Sequence, residues 1–175
     1  MMQRVLLAAI LLAVASGCAT NRYVGPTSGR SADAQWGVSR ALDRALESLD
    51  WGVARDKAAA VTVATLTESY GGRSAEERYL EEAARRRLRE EGARVTGGEA
   101  AELEVVVLAR VLGVNRTRRD FIPLYYSELV EGVAEVDVLF VTATETRVQS
   151  RSAAAARRRS YLFYMFGPIV REWPE

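Results

Sequence analysis

Residues 132–146 read GVAEVDVLFVTATET. Val136, Val138 and Phe140 alternate with Glu135, Asp137 and Leu139, the two-residue period of a strand with one face in a core and the other toward water. The pattern predicts a strand from Ala134 to Val148. ELEVVVLARVL (102–112) predicts another, and SYLFYMF (160–166) a final aromatic strand stopped by Gly167-Pro168. Upstream, AAAVTVATLT (58–67) is β-branched, with apolar residues on both faces, as in a central strand covered on both sides. Arg94-Val95-Thr96 predicts a short edge strand.

Two helices complete the pattern. Val38, Leu42, Ala45 and Leu49 recur at helical spacing and predict a first helix over about 33–50, with Trp51 closing its end and Gly52 in the capping position. The second helix is the most strongly marked element. Ser74 with Glu77 forms a capping-box pattern, Gly92 follows the end, and Leu80, Ala84 and Leu88 make its inward stripe. Glutamates crowd its first half and arginines its second, which suits the helix dipole and sets Glu81 against Arg85 and Glu82 against Arg86. The order helix, strand, helix, strands predicts an α+β fold, a mixed α/β two-layer sandwich of two helices on a largely antiparallel sheet of four to five strands.

The chain has 175 residues and a mass of 19.3 kDa, enough for one domain. With 24 basic and 23 acidic side chains it lacks the basic excess of a nucleic-acid binder, so no nucleic acid is expected as a partner. It contains no histidine and one cysteine. That excludes Ser-His-Asp and Cys-His catalysis, zinc sites built on His or Cys, and an intrachain disulfide. No phosphate-binding or dinucleotide glycine pattern occurs, and neither a cofactor nor a metal is implied.

Residues 1–17 carry one charge, Arg4, followed by an apolar run from Val5 to Ala15. A bilayer-spanning helix needs roughly 20 apolar residues, so the run has the proportions of a secretory signal. Ala15-Ser16-Gly17-Cys18 resembles the lipobox of bacterial lipoproteins. The resemblance implies cleavage before Cys18 and a diacylglycerol on its thiol. Because Ala19 follows, with no aspartate there, it also implies an outer-membrane destination facing the periplasm. Loss of Arg4 leaves 23 basic and 23 acidic side chains, so a lipid anchor, more than charge, is expected to hold the chain on the membrane. Residues 18–32 are expected to be the lipidated cysteine and a flexible tether, and residues 33–173 a single domain.

Three segments carry candidate chemistry. Glu102 with Glu104 and Glu135 with Asp137 are carboxylate pairs on single strand faces, the residues a hydrolase would need, though they equally mark solvent faces. Arg157-Arg158-Arg159, with Arg147 and Arg151, form a basic stretch suited to phosphate headgroups, lipid A or anionic envelope polymers, or to a polar connection between strands. The third is the expected 113–131 connection, GVNRTRRDFIPLYYSELVE. It is long for a link between adjacent strands, and it combines Arg116, Arg118 and Arg119 with Tyr125 and Tyr126, residue types enriched at binding hot spots. Two readings stay open for it: a partner-binding loop, or a lid with its aromatics folded onto the sheet.

The segments ALDRALESLDW (41–51), YLEEAARRRLREEGARV (79–95), AAELEVVVLARVLGV (100–114) and GVAEVDVLFVTATET (132–146) resemble an uncharacterised group of bacterial lipoproteins. The element order is more distantly similar to the curli-secretion lipoproteins and the activators of peptidoglycan synthases. These likenesses imply an outer-membrane lipoprotein that works by assembly or by contacting a partner. The expected function is a lipid-anchored, non-catalytic binding or assembly module contacting an envelope protein or polymer. The alternatives are a carboxylate-dependent envelope hydrolase and a structural homo-oligomer subunit; the sequence leaves the oligomeric state open.

Overall fold

The structure is a computed structural model that describes residues 20–23, 31–66, 74–121, 125–162 and 169–174. Its elements run β1 (Thr20–Tyr23), α1 (Ala32–Glu47), β2 (Ala58–Thr65), α2 (Ala75–Glu90), β3 (Arg94–Val95), β4 (Leu103–Phe121), β5 (Tyr125–Val141), β6 (Thr146–Leu162) and β7 (Ile169–Pro174). The architecture is mixed α+β, two helices on one face of a single sheet. Among the described residues the sheet has seven strands, above the expected four to five, because β1 and β7 join it. Six strands follow the order β3-β2-β4-β5-β6-β7, and β1 pairs with the distal part of β4. Pairing is parallel where β2 meets β3 and β4 and antiparallel elsewhere.

The helices begin and end where their caps dictate. The Ser31 hydroxyl accepts from the Ala34 amide to start α1. At α2 both bonds of the capping box form between Ser74 and Glu77. Gly92 takes a φ of 87°, its amide bonds to Arg89 and that of Ala93 to Leu88, which closes a Schellman motif. Leu42, Leu46, Leu80 and Leu88 pack with Val105, Val107, Val136, Val138 and Phe140 in one core. Each such side chain taken from water contributes about 1.5–3 kcal/mol before entropy is counted. Trp51 closes one end, its ring edge-on to Phe140 at 5.6 Å and its indole N–H donating to the Leu46 carbonyl at 2.8 Å.

Six expectations change. The first is at α1, which ends at Glu47 with Ser48 as its C-cap, short of the expected residue 50, while Gly52 opens a separate short turn. The 113–131 segment is not a loop: β4 and β5 continue through it as a hairpin, paired in register from Glu104–Val141 to Phe121–Tyr125. Apolar alternation stops near Val114, but β-branched and aromatic residues with cross-strand charge pairs sustain the ladder. The predicted 134–148 strand is divided by a turn in which the Thr142 amide bonds to the Glu145 carbonyl at 2.8 Å. Arg157–Arg159 lie inside β6, not in a connection. On the outward face of β2, Ala58 and Ala60 are buried beside Gly98–Ala100 while Thr62 and Ala64 are exposed, so only the start of β2 is covered on both faces. Within the expected tether, Thr20–Tyr23 pair with Asp120–Thr117 of β4 as a strand. Cys18 and residues 1–17 lie outside the described residues.

Candidate functional site: the distal sheet and its open face

The long strands divide the sheet into two halves. Near the helices it comprises β3-β2-β4-β5-β6; beyond them it continues as β1-β4-β5-β6-β7. The five residues singled out for partner binding, Arg116, Arg118, Arg119, Tyr125 and Tyr126, all stand in the distal half. Because side chains alternate across the pleat, that half splits them.

Arg116, Arg118 and Tyr126 share the helix-bearing face. Arg116 pairs with Glu128, and Arg118 lies 3.0 Å from Asp120 while its guanidinium sits 4.7 Å from the centre of the Tyr126 ring. Tyr126 in turn packs against Tyr161 with ring centres 5.4 Å apart. Burial holds the Tyr126 hydroxyl above its ordinary pKa, and Glu128 adds to this. The β6 arginines on this face are also engaged. Arg159 grips Asp33 of α1 through two bonds of 2.9 and 2.6 Å. Arg157 pairs with Glu172 of β7 and stacks 4.0 Å over Trp36.

Arg119 and Tyr125 stand on the other face. The Tyr125 hydroxyl lies 3.4 Å from that of Ser160. Hydrogen bonds from Ser127 and Ser160, with the positive charges of Arg158 and Arg119, hold its pKa below the ordinary phenol value. Ser127 and Ser160 were missed by sequence reasoning, because each joins the group only through strand register, as does Arg158 of the basic stretch.

Three of the four candidate carboxylates pair with arginines. A register shift between Ala109 and Val111 makes Arg110 a bulge residue, and its guanidinium reaches Glu135 at 2.6 Å and Asp137 at 2.9 Å. Glu102 lies 3.9 Å from Arg94. On α2, Arg85 meets Glu81 at 2.5 Å as expected. Arg86 instead reaches across to Asp43 of α1 at 3.2 Å, and Arg87 bridges Glu47 and Glu90, so this face is a seam between the helices.

Opposite the helices, the short turn Gly98–Ala100 packs on the start of β2, where Ala58 and Ala60 are buried; beyond it no described element covers that face. Thr62, Val106, Leu139 and Val148 form one row across β2, β4, β5 and β6 there, and Val148 is 58% exposed. The described residues hold no cluster of three metal-ligating side chains, and no described helix is long and apolar enough to cross a membrane. No protein-family model matches the chain, and no curated protein matches it.

Proposed function

We propose that this chain is a lipid-anchored cell-envelope module that binds another envelope component, protein or polymer, without catalysis of its own. Cys18 carries the lipid, and the domain faces the periplasm from the outer membrane. The observation that supports the binding role is the bare sheet face with its row Thr62, Val106, Leu139 and Val148. Apolar side chains left open along a contiguous row are the composition of an interaction surface.

Photo-crosslinking in living cells tests this, with a probe residue replacing Val148 in the full lipidated protein. A discrete adduct with another envelope protein or polymer is the expected result. No adduct at Val148, together with adducts from a probe at Tyr79 on the helix layer, would overturn it. A second reading, the homo-oligomer subunit, is favoured by β7. It ends the sheet with Ile169 and Val170 about half exposed, and an unblunted edge strand invites pairing with a copy of itself. β7 lies beyond β6 and forms this edge of the sheet. An adduct of the chain with itself would favour this reading.

A further inference from the structure

Two basic stretches distant in sequence, 116–119 and 157–159, meet in the distal sheet, and the pleat sorts them. On the helix-bearing face Arg116, Arg118, Arg157 and Arg159 meet Glu128, Asp120, Glu172 and Asp33. The opposite face differs. Arg119, Ser127 and Ser160 stand in one cross-strand row, and Arg158, opposite Leu129 and Arg171, stands in the next. Arg119 and Arg171 are exposed. The nearest acidic position on this face of β5 is Glu131, a further row toward the helices. The guanidiniums of Arg119 and Arg171 therefore share the distal part of this face with two serine hydroxyls, and Glu131 is the one carboxylate among the described residues there, in a chain whose total charge is only +1.

The path of the chain supplies an independent observation. Thr20 pairs with Asp120 and Asn21 with Arg119, at the distal end of β4. Cys18 precedes Thr20 by two residues, which span at most about 7 Å. A lipid on Cys18 therefore holds the bilayer surface beside this end of the sheet.

We infer that the distal end of the sheet rests on the membrane, with Arg119 and Arg171 against the phosphates of anionic phospholipid headgroups; this rests on the reading that Cys18 is lipidated. Arginine forks match phosphate oxygens in paired hydrogen bonds, and basic side chains near an anionic leaflet add attraction that falls off within a Debye length. The anchor supplies attachment and the arginines supply orientation. The sheet then stands away from the bilayer. Val106 lies 14 residues along β4 from Asp120, which holds the bare row up to about 45 Å from the lipid at strand rise.

The test uses the full lipidated protein in vesicles of phosphatidylcholine, alone or mixed equally with phosphatidylglycerol. With Cys18 lipidated, I169C and R55C each carry a single nitroxide, and access of a water-soluble nickel chelate is measured. Residue 169 should be shielded several-fold relative to residue 55 on the anionic vesicles. R119Q/R171Q should remove most of that shielding, and pure phosphatidylcholine should give little. Equal access at 169 and 55 on anionic vesicles overturns the inference, as does shielding that is unchanged in R119Q/R171Q. Incorporation of labelled palmitate, lost in C18S, tests the lipid reading separately. Palmitate incorporation without shielding at residue 169 leaves lipidation standing and the orientation refuted. Shielding without palmitate leaves the arginine contact standing and the lipid reading refuted.

Discussion

A Cβ on Gly132 would lie 2.1 Å from the carbonyl carbon and oxygen of Gly37. Helix α1 thus rests backbone on backbone against the middle of β5, and this contact fixes how closely the helix layer approaches the sheet. The relationship is asymmetric, because a Cβ on Gly37 would meet Gly132 no closer than 3.2 Å.

Gly132→Ala must push helix and sheet apart, and overpacking of this kind costs about 3 kcal/mol. Gly37→Ala gains about 1 kcal/mol of helix propensity, which offsets its milder contact and leaves a change near zero. Urea denaturation of the two variants measures the difference. Equal stability of both would show that the layers can separate freely at this point.

Asp33 ties the start of α1 to β6 through Arg159 at 2.9 and 2.6 Å, with Arg157 at 4.0 Å. The bond is bidentate and half-buried, and Asp33 also sits in the first turn, where the helix dipole favours a carboxylate. Asp33→Asn should cost about 1–2 kcal/mol, toward the lower end of the range for hydrogen bonds to charged groups. The loss should shrink at high salt. A cost that is independent of salt would count against an electrostatic origin.

The tyrosines should titrate in a set order. Tyr125 is held below the ordinary phenol pKa of 10.0 by hydrogen bonds from Ser127 and Ser160 and by Arg158 and Arg119. Tyr79 is held above it by burial and by Asp43. With its folded pKa depressed, Tyr125 contributes stability that is present above pH 10 and lost as pH falls through the folded value. Tyr79, with its pKa raised, contributes stability present below pH 10 and lost as pH rises through its folded value. Ring-selective NMR titration should show Tyr125 ionising first, and Arg119→Gln should move it back toward 10 without shifting Tyr79. Coincident titration of the two would refute the arrangement around Tyr125.

Arg110 holds both Glu135 and Asp137. The shared guanidinium makes the two carboxylates one ion-paired group on the strand face. Asp137→Asn should change stability by about 1 kcal/mol or less, the scale of exposed ion pairs. It should leave partner crosslinking at Val148 unchanged. Disappearance of the adduct would place Asp137 within the contact surface.

Much of this molecule was legible along the chain, and the misses share one cause. Ser74, Glu77 and Gly92 mark α2 because caps satisfy backbone groups within a few residues. Val136, Val138 and Phe140 reveal their strand because the core selects one face. Beyond Val114 no core selects a face, so the distal halves of β4 and β5 lack apolar alternation and read as a connection. The turn at Thr142–Glu145 contains no glycine, proline or asparagine to announce it. Arg157 and Arg159 look unopposed in sequence because their partner, Asp33, lies more than 120 residues upstream.

The sequence by itself determined the two helices and both ends of α2, the inward faces of the core strands, the α+β class, and the exclusion of histidine- and disulfide-based chemistry. Each follows from spacing or composition, since capping and side-chain periodicity act over a few residues. Tertiary structure decided how the arginines and tyrosines are shared out. Register between β4, β5 and β6 sends Arg116, Arg118 and Tyr126 to one face and Arg119, Tyr125 and Arg158 to the other. A shift of one residue would exchange those faces, and no local pattern in residues 113–131 sets that register. It is set by the apolar alternation of Val105, Val107, Val136 and Val138 some tens of ångströms away, and transmitted along the backbone ladder to the distal sheet.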